Sequence, residues 1–134
     1  MTPEQNDLSC TTDNTSTLGT ASFRYSEVFA ANGTINTSDE REKEQQRDLS
    51  EAEKRVAQSV KSLIKAFKWT DAVTKKGSGA RWHFGVMAQE VVAAFESEGL
   101  DAMKYGMVCY DEWEGGDRYG VRYDQLLAFV ISQI

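Results

Sequence analysis

The order of hydrophobic and polar positions divides the first part of the chain into two stretches. Residues 1–17 are polar and rich in Thr, Asn and Ser, which predicts an extended or poorly ordered lead-in. Short pieces of β-forming residues follow from Leu18 to Asn36, around the turn dipeptide Asn32-Gly33, and predict strands. A piece this small cannot bury a core alone, so it needs a neighbour, which another copy of the same segment would supply.

The middle of the chain has the periodicity of an amphipathic helix. Ser50 and Glu53 form the signature of a capping box, and apolar residues recur at steps of three and four. We therefore predict a long helix over Ser50–Lys68 with a charged outer face. Trp69–Val73 then leads into Lys75–Gly79, whose composition predicts a flexible hairpin tip. The apolar stripe comprises Leu49, Ala52, Val56, Val60, Leu63, Ile64 and Phe67.

The last third alternates between strand and helix patterns. Arg81–Gly85 reads as a strand, and a helical stripe then runs from Ala88 to a stop at Gly99. Two further strands, Met107–Tyr110 and Tyr119–Tyr123, flank a turn at Gly115-Gly116. A final helix is predicted from a cap at Asp124 to the last residue, with Leu127, Val130, Ile131 and Ile134 on one side.

These elements predict an α+β fold. It consists of a short N-terminal β-strand stub and a mixed domain with a long amphipathic helix, small antiparallel β pieces and a C-terminal helix. The apolar stripe of that last helix is unfinished, so a partner chain is expected to cover it. The three tryptophans, Trp69, Trp82 and Trp113, are expected in the core or in such an interface, with a carbohydrate platform as the alternative.

Composition narrows the class of protein. The 134 residues carry a net charge of −6 with no local surplus of Lys or Arg, so a nucleic-acid footprint is not expected. No apolar run approaches about 20 residues, and Met1–Gln5 has no signal-peptide pattern. Cys10, Cys109 and a single His predict neither a metal site nor a disulfide framework, and no cofactor is expected. The expected setting is a reducing cytoplasm.

One serine and one lysine are the candidates for catalysis. Ser38 is followed five residues later by Lys43, a spacing that can form a Ser–Lys dyad, in which an unprotonated amine takes the hydroxyl proton. Five residues of an α-helix rotate by about 500°, which would leave the two side chains about 140° apart. Either Ser38 therefore precedes the helix, or the two residues come from different chains. The alternative is an ordinary helix start, with Thr37 and Glu40 as a capping box.

Four motifs follow one another from Leu18 to the C-terminus: Leu18-Gly19 with Phe23–Ala30, Gly33–Lys43, His83–Val91 and Tyr119–Leu127. Together they resemble the motifs of the C-terminal intramolecular chaperone domains of phage tailspikes, tail fibres and endosialidases. The segment ending in Ser38-Asp39-Glu40-Arg41-Glu42-Lys43 resembles the family's SDxRxK cleavage motif. The sequence differs from the family after Lys43, where Glu44-Gln45-Gln46 replaces a short apolar position. Of the other three, Leu18-Gly19 with Phe23–Ala30 resembles the short repeat that ends the fibre. His83–Val91 resembles the family's HxGxxAQEV signature, and Tyr119–Leu127 resembles its YGVxYxxL segment.

The resemblance implies a homotrimer that helps the upstream fibre segment of the same chain to assemble and then cuts itself off by autoproteolysis. Ser38 would be the nucleophile and Lys43 the general base, with Asp39 and Arg41 holding the turn. His83, Gly85, Gln89 and Glu90 would support the site. Residues 1–37 would then end the fibre and residues 38–134 form the chaperone domain. Assembly would take place in the host bacterial cytoplasm, and the fibre would remain in the virion tail.

Ring size favours one bond for cleavage. Attack by the Ser38 hydroxyl on the Thr37 carbonyl passes through a five-membered ring, whereas attack on its own carbonyl needs a strained four-membered one. We therefore expect cleavage between Thr37 and Ser38, although attack between chains would remove this constraint. Two alternatives stay open: a trimerisation module of the same fold that does not cleave, and an unrelated acidic interaction domain.

Overall fold

The computed structural model describes residues 7–134, which form two compact units. The first ends at Asn36, and the second spans Thr37–Ile134. The absence of a signal-peptide pattern over Met1–Gln5 concerns residues that lie outside the described part of the chain.

The first unit contains neither helix nor strand between residues 7 and 36, so the strands predicted there are wrong for the single chain. A local turn is present, in which the Thr20 amide donates to the Phe23 carbonyl at 3.0 Å. A strand needs a hydrogen-bonded neighbour, and this unit supplies none. Its large apolar side chains are accordingly exposed: Leu18, Phe23, Tyr25, Val28, Phe29 and Ile35.

The second unit is α+β, as predicted. Its helices are α1 (Glu51–Lys61), α2 (Thr70–Lys76), α3 (Ala88–Ser97) and α4 (Tyr123–Ile131). Its strands are β1 (Lys65–Phe67), β2 (His83–Gly85), β3 (Val108–Trp113) and β4 (Gly116–Val121). They form two antiparallel two-stranded sheets, β1 with β2 and β3 with β4. Short 3-10 turns occur at Glu40–Glu42, Gly77–Gly79 and Ala102–Lys104.

Helix α1 starts as predicted but ends early. Ser50 accepts a hydrogen bond from the Glu53 amide, and the Glu53 carboxylate accepts one from the Ser50 amide, which completes the capping box. The helix stops at Lys61 instead of Lys68, because the residues from Lys65 onward pair with β2. The spacing of apolar residues by three and four continues to Phe67, so this spacing could not distinguish β1 from another helical turn.

Helix α3 and the β3–β4 hairpin confirm the helix predicted to stop at Gly99 and the two strands predicted around the Gly115-Gly116 turn. Gly99 and Gly115 have φ values of 71° and 98°, the left-handed region that glycine adopts without steric cost. The hairpin tip predicted at Lys75–Gly79 is wrong. Those residues end α2 and form the 3-10 turn Gly77–Gly79, so a helix joins β1 to β2.

Helices α1, α3 and α4 enclose the core, which includes the buried side chains of Val56, Val60, Val91, Phe95, Leu126 and Val130. The predicted cap at Asp124 is wrong: α4 begins at Tyr123 after Arg122, without a side-chain cap. Of the stripe predicted on α4, Val130 is buried, whereas Leu127, Ile131 and Ile134 are 47, 65 and 85% exposed. No helix within residues 7–134 has the length and apolarity needed to span a membrane.

Candidate functional site

The Ser38 and Lys43 side chains meet within one chain. Ser38 precedes the 3-10 turn Glu40–Glu42, and Lys43 follows it in extended conformation. The Lys43 Nζ donates a hydrogen bond of 2.8 Å to the Ser38 Oγ. Of the two arrangements left open above, the single chain therefore adopts the one in which the serine lies before the helix. Both side chains are exposed in the single chain.

Asp39 and Arg41 hold the turn between them. The Asp39 carboxylate accepts from the Arg41 amide at 2.9 Å and from its guanidinium Nη2 at 2.6 Å. The Arg41 side chain therefore lowers the pKa of Asp39. Asp39 is the N-cap, so the predicted capping role of Thr37 with Glu40 is wrong. The Asp39 carboxylate accepts from the Arg41 amide, two residues on, which is the usual bond of an N-cap side chain.

The segment after Lys43 is joined to the body of the domain by a charged cluster. Gln45 has a φ of 53°, and two residues later Arg47 reaches the carboxylate of Glu53 with two bonds of 2.7 Å. The Tyr105 hydroxyl donates to the same carboxylate at 2.7 Å. The pKa of Glu53 falls to about 2, chiefly because Arg47 hydrogen-bonds its charged form.

Sequence reasoning assigned Glu53 only to the capping box and missed the rest of this cluster. A signal was present, because Glu53 is spaced three residues before Val56 and therefore lies on the apolar stripe of α1. It is the one charged residue that is buried among the described residues, at 4% exposure. A charge at such a position requires a partner.

The motif residues His83, Gly85, Gln89 and Glu90 lie on β2 and α3. His83 is exposed and packs its ring on Phe67, with centroids 5.8 Å apart, so it serves packing here. Glu90 forms a salt bridge of 2.8 Å with Lys65. Within residues 7–134, no hydrogen bond or ion pair joins these four residues to Ser38 or Lys43.

The same motif borders a cavity of about 540 Å³. Its lining includes His83, Gln89, Trp69 and Tyr123. Trp69 and Trp82 are 58 and 64% exposed in the single chain, so neither lies in its core. The other two predictions for these tryptophans, an interface between chains and a carbohydrate platform, stay predictions. No group of three or more His, Cys, Asp or Glu side chains that could hold a metal ion occurs in the part of the chain that the structure describes.

Gly85 leaves space for a tyrosine of the last motif. The Tyr123 hydroxyl lies where a Cβ on Gly85 would be, and it accepts a hydrogen bond of 3.1 Å from the Val86 amide. This contact joins the HxGxxAQEV and YGVxYxxL segments. A glycine is therefore required here by close approach and not by backbone conformation.

We expect Gly85→Ala to destabilise the domain by about 1–3 kcal/mol, because the added methyl displaces the tyrosine ring. Urea unfolding of the variant measures this change. The matched control is Gly79→Ala, where the nearest side-chain atom to the new Cβ is 3.9 Å away and little change is expected. Equal stability of Gly85→Ala and the native protein would contradict the packing role.

Comparisons with known proteins agree with these motifs. Residues 38–100 match the family described as chaperone of endosialidase. The chain is 39% identical to the side tail fiber protein pb1 of Escherichia phage T5 over 102 residues. This match covers 76% of this chain and 7% of that protein. The chain thus spans a small part of that relative.

Two solved structures share the fold. The carboxy-terminal domain of the bacteriophage T5 L-shaped tail fiber, solved with its intra-molecular chaperone domain, has a TM-score of 0.80 at 31% identity, covering 92% of this chain and 35% of that one. A structure described as a novel intramolecular chaperon has a TM-score of 0.65 at 36% identity, covering 72% of this chain and 93% of that one. The chain therefore belongs to the chaperone of endosialidase family, whose solved relatives include intramolecular chaperone domains of phage tail fibres.

Proposed function

We propose that the domain drives trimerisation and folding of an upstream tail fibre or tailspike segment and then releases itself by autoproteolysis next to Ser38. The observation that carries the proposal is the 2.8 Å contact between the Lys43 Nζ and the Ser38 Oγ. A neutral amine in the same place would accept the hydroxyl proton, as a general base must. The names of the relatives support the tail-fibre setting.

The cleavage that we propose has two balanced steps. The Ser38 Oγ attacks the carbonyl carbon of Thr37 while its proton passes to the Lys43 amine. The C–N bond breaks, the Ser38 nitrogen takes a proton, and an ester links the two residues. Water then adds to the ester, which yields the Thr37 carboxylate and restores the hydroxyl. The result is cleavage between Thr37 and Ser38.

Self-association would link cleavage to correct assembly. Lys43 is exposed in the single chain, whereas a lysine that acts as a general base needs its neutral form. Burial favours the neutral form, so a neighbouring chain that covers the dyad would activate it. Exposed apolar side chains in the first unit and on α4 supply surfaces for that association. Assembly would occur in the host cytoplasm, with the fibre kept in the virion tail.

The same exposure of Lys43 supports a second candidate, a trimerisation module that does not cleave. In that case the amine stays charged and the Ser38 contact only fixes the turn. The two candidates differ in one observable, whether the backbone at Ser38 breaks in the assembled protein.

Substitution of the base separates the two candidates. Lys43→Arg keeps the positive charge, but a guanidinium does not lose its proton in proteins, so we expect cleavage to fall at least about 100-fold. The measurement is a time course of intact mass after denaturation. Lys54→Arg, an exposed lysine paired with Glu51 on α1, is the control and should cut at the native rate. Unchanged cleavage in Lys43→Arg would remove the lysine from the mechanism.

A further inference from the structure

A buried carboxylate, that of Glu53, lies in the first turn of α1, ten residues after Lys43. Glu53 faces the interior from the first turn of α1, although water would solvate it far better. Both of its oxygens are fully engaged. The Oε1 accepts from the Arg47 Nη1 at 2.7 Å and from the Ser50 amide at 2.8 Å, and the Oε2 accepts from the Arg47 Nη2 and the Tyr105 hydroxyl, each at 2.7 Å.

These contacts join three separate parts of the chain. Ser50 caps α1, Tyr105 follows the 3-10 turn Ala102–Lys104, and Arg47 belongs to the extended segment after Lys43. The Arg47 side chain is 61% exposed and so gains little from burial itself. Its guanidinium group donates two parallel hydrogen bonds to the Glu53 carboxylate, and such a bidentate pair fixes the orientation of the two groups as well as their distance. Glu53 therefore binds the segment to the body of the domain.

Packing contributes little to holding that segment in place. A cavity of about 430 Å³ is lined by Gln45, Arg47 and Leu49 of the segment and by Phe95 and Phe129 of the core. Residues 44–48 are exposed and Leu49 is half-buried, so the segment makes few apolar contacts with the core. The bonds to Glu53 are then the main restraint on residues 44–49.

The segment also contains a bend that is costly on its own. Gln45 has a φ of 53°, in the left-handed region that costs a residue other than glycine free energy and persists only where the surroundings enforce it. This bend lies two residues after Lys43 and two before Arg47. Release of Arg47 would let Gln45 relax, and the direction in which the chain leaves Lys43 would change.

We propose that Glu53 is a positioning residue for the Ser38–Lys43 pair, which it holds in register by clamping Arg47. This inference rests on the proposed function, since a dyad must exist to be positioned. Glu53 touches no reacting atom. It acts through Arg47 and the bend at Gln45 on the direction of the Lys43 backbone, and displacement of a catalytic group by about 1 Å can lower a rate by about 100-fold.

The test uses the full chain and two variants that break the clamp from opposite sides, Glu53→Gln and Arg47→Ala. Arg47→Ala leaves the buried Glu53 carboxylate without its cation, with only the Ser50 amide and the Tyr105 hydroxyl still donating to it. Glu53→Gln removes the buried charge itself, so it should fold even if Arg47→Ala does not. We expect each folded variant to cleave at Ser38 at least about 10-fold more slowly than the native chain. Arg47→Lys keeps the charge without the two parallel hydrogen bonds and should recover part of the rate. Glu98→Gln, which breaks the Arg55–Glu98 pair of 2.8 Å between α1 and α3, should leave cleavage unchanged.

A second readout separates positioning from general loss of stability. In the uncut Ser38→Ala background, the clamp variants should speed hydrogen exchange of the Lys43 and Ser50 amides, which donate to Glu40 and Glu53. Amides in α3 should keep their native rates. If the clamp variants cut at the native rate, or if exchange accelerates equally throughout the domain, the positioning role is wrong and the proposed function stands. If the native chain itself does not cut, the proposed function fails first.

Discussion

Replacing Ser38 with alanine should abolish self-cleavage completely. Native protein, fully denatured, should give two fragments that join at Ser38, whereas Ser38→Ala should give only the intact chain of 15.0 kDa. The expected effect is large because the Ser38 hydroxyl oxygen is the proposed nucleophile, and removing a nucleophile leaves no alternative route of comparable rate. Intact-mass analysis of freshly purified protein checks this and locates the bond.

The matched control for Ser38→Ala is Ser97→Ala at the end of α3, where the hydroxyl only donates to the Ala94 carbonyl at 2.7 Å. This variant should cut as the native chain does. A fragment that begins at Ser38 would establish cleavage between Thr37 and Ser38. A fragment that begins at Asp39 would contradict the ring-size argument and indicate that the serine of one chain attacks another chain. If the native chain stays uncut but still forms trimers, the second candidate function, a trimerisation module that does not cleave, is the correct one.

The second large effect is expected on assembly. Ile131→Asp places a charge on the exposed apolar face of α4, where the isoleucine is 65% exposed in the single chain. Losing about 2 kcal/mol of apolar burial from each of three chains removes about 6 kcal/mol from the trimer. That loss lowers the association constant by a factor of roughly 10⁴. Repulsion among three like charges adds to it.

Sedimentation equilibrium in the uncut Ser38→Ala background measures this change. We expect three times the chain mass for the parent and one chain mass for the Ile131→Asp variant. The control Gln58→Asp adds the same charge to an exposed polar position of α1 and should stay trimeric. A trimeric Ile131→Asp protein would show that α4 lies outside the interface, and a monomeric parent would contradict trimerisation itself.

The two large effects should also be linked. If assembly covers the dyad, Ile131→Asp in the chain with its native serine should lose cleavage together with trimerisation, although its Ser38 and Lys43 are unchanged. Cleavage at the native rate in a monomer would show that the single chain already contains an active site. The contact of 2.8 Å between the Lys43 Nζ and the Ser38 Oγ lies inside one chain, so it is compatible with the second outcome.

Local signals in the sequence determined the elements whose ends depend on near neighbours. The Ser50 capping box, Gly99 and Gly115 each act within a few residues, so the start of α1, the end of α3 and the β3–β4 turn could be predicted. Spacing also marked Ser38 and Lys43 as candidates and left two arrangements open, a serine before the helix or two residues from different chains. The single chain adopts the first. The four motifs identified the family.

Contacts between distant residues decided the rest. Helix α1 ends at Lys61 because residues 65–67 pair with residues 83–85, a partner that no local pattern near Lys61 reveals. Packing against α1 and α3 buries Leu126 and Val130 on α4, while Leu127 and Ile131 of the same apolar helix stay exposed. Glu53 is held by Tyr105, 52 residues away. Only the tertiary structure could show these pairings, because their free energy comes from groups that the chain brings together after its local structure has formed.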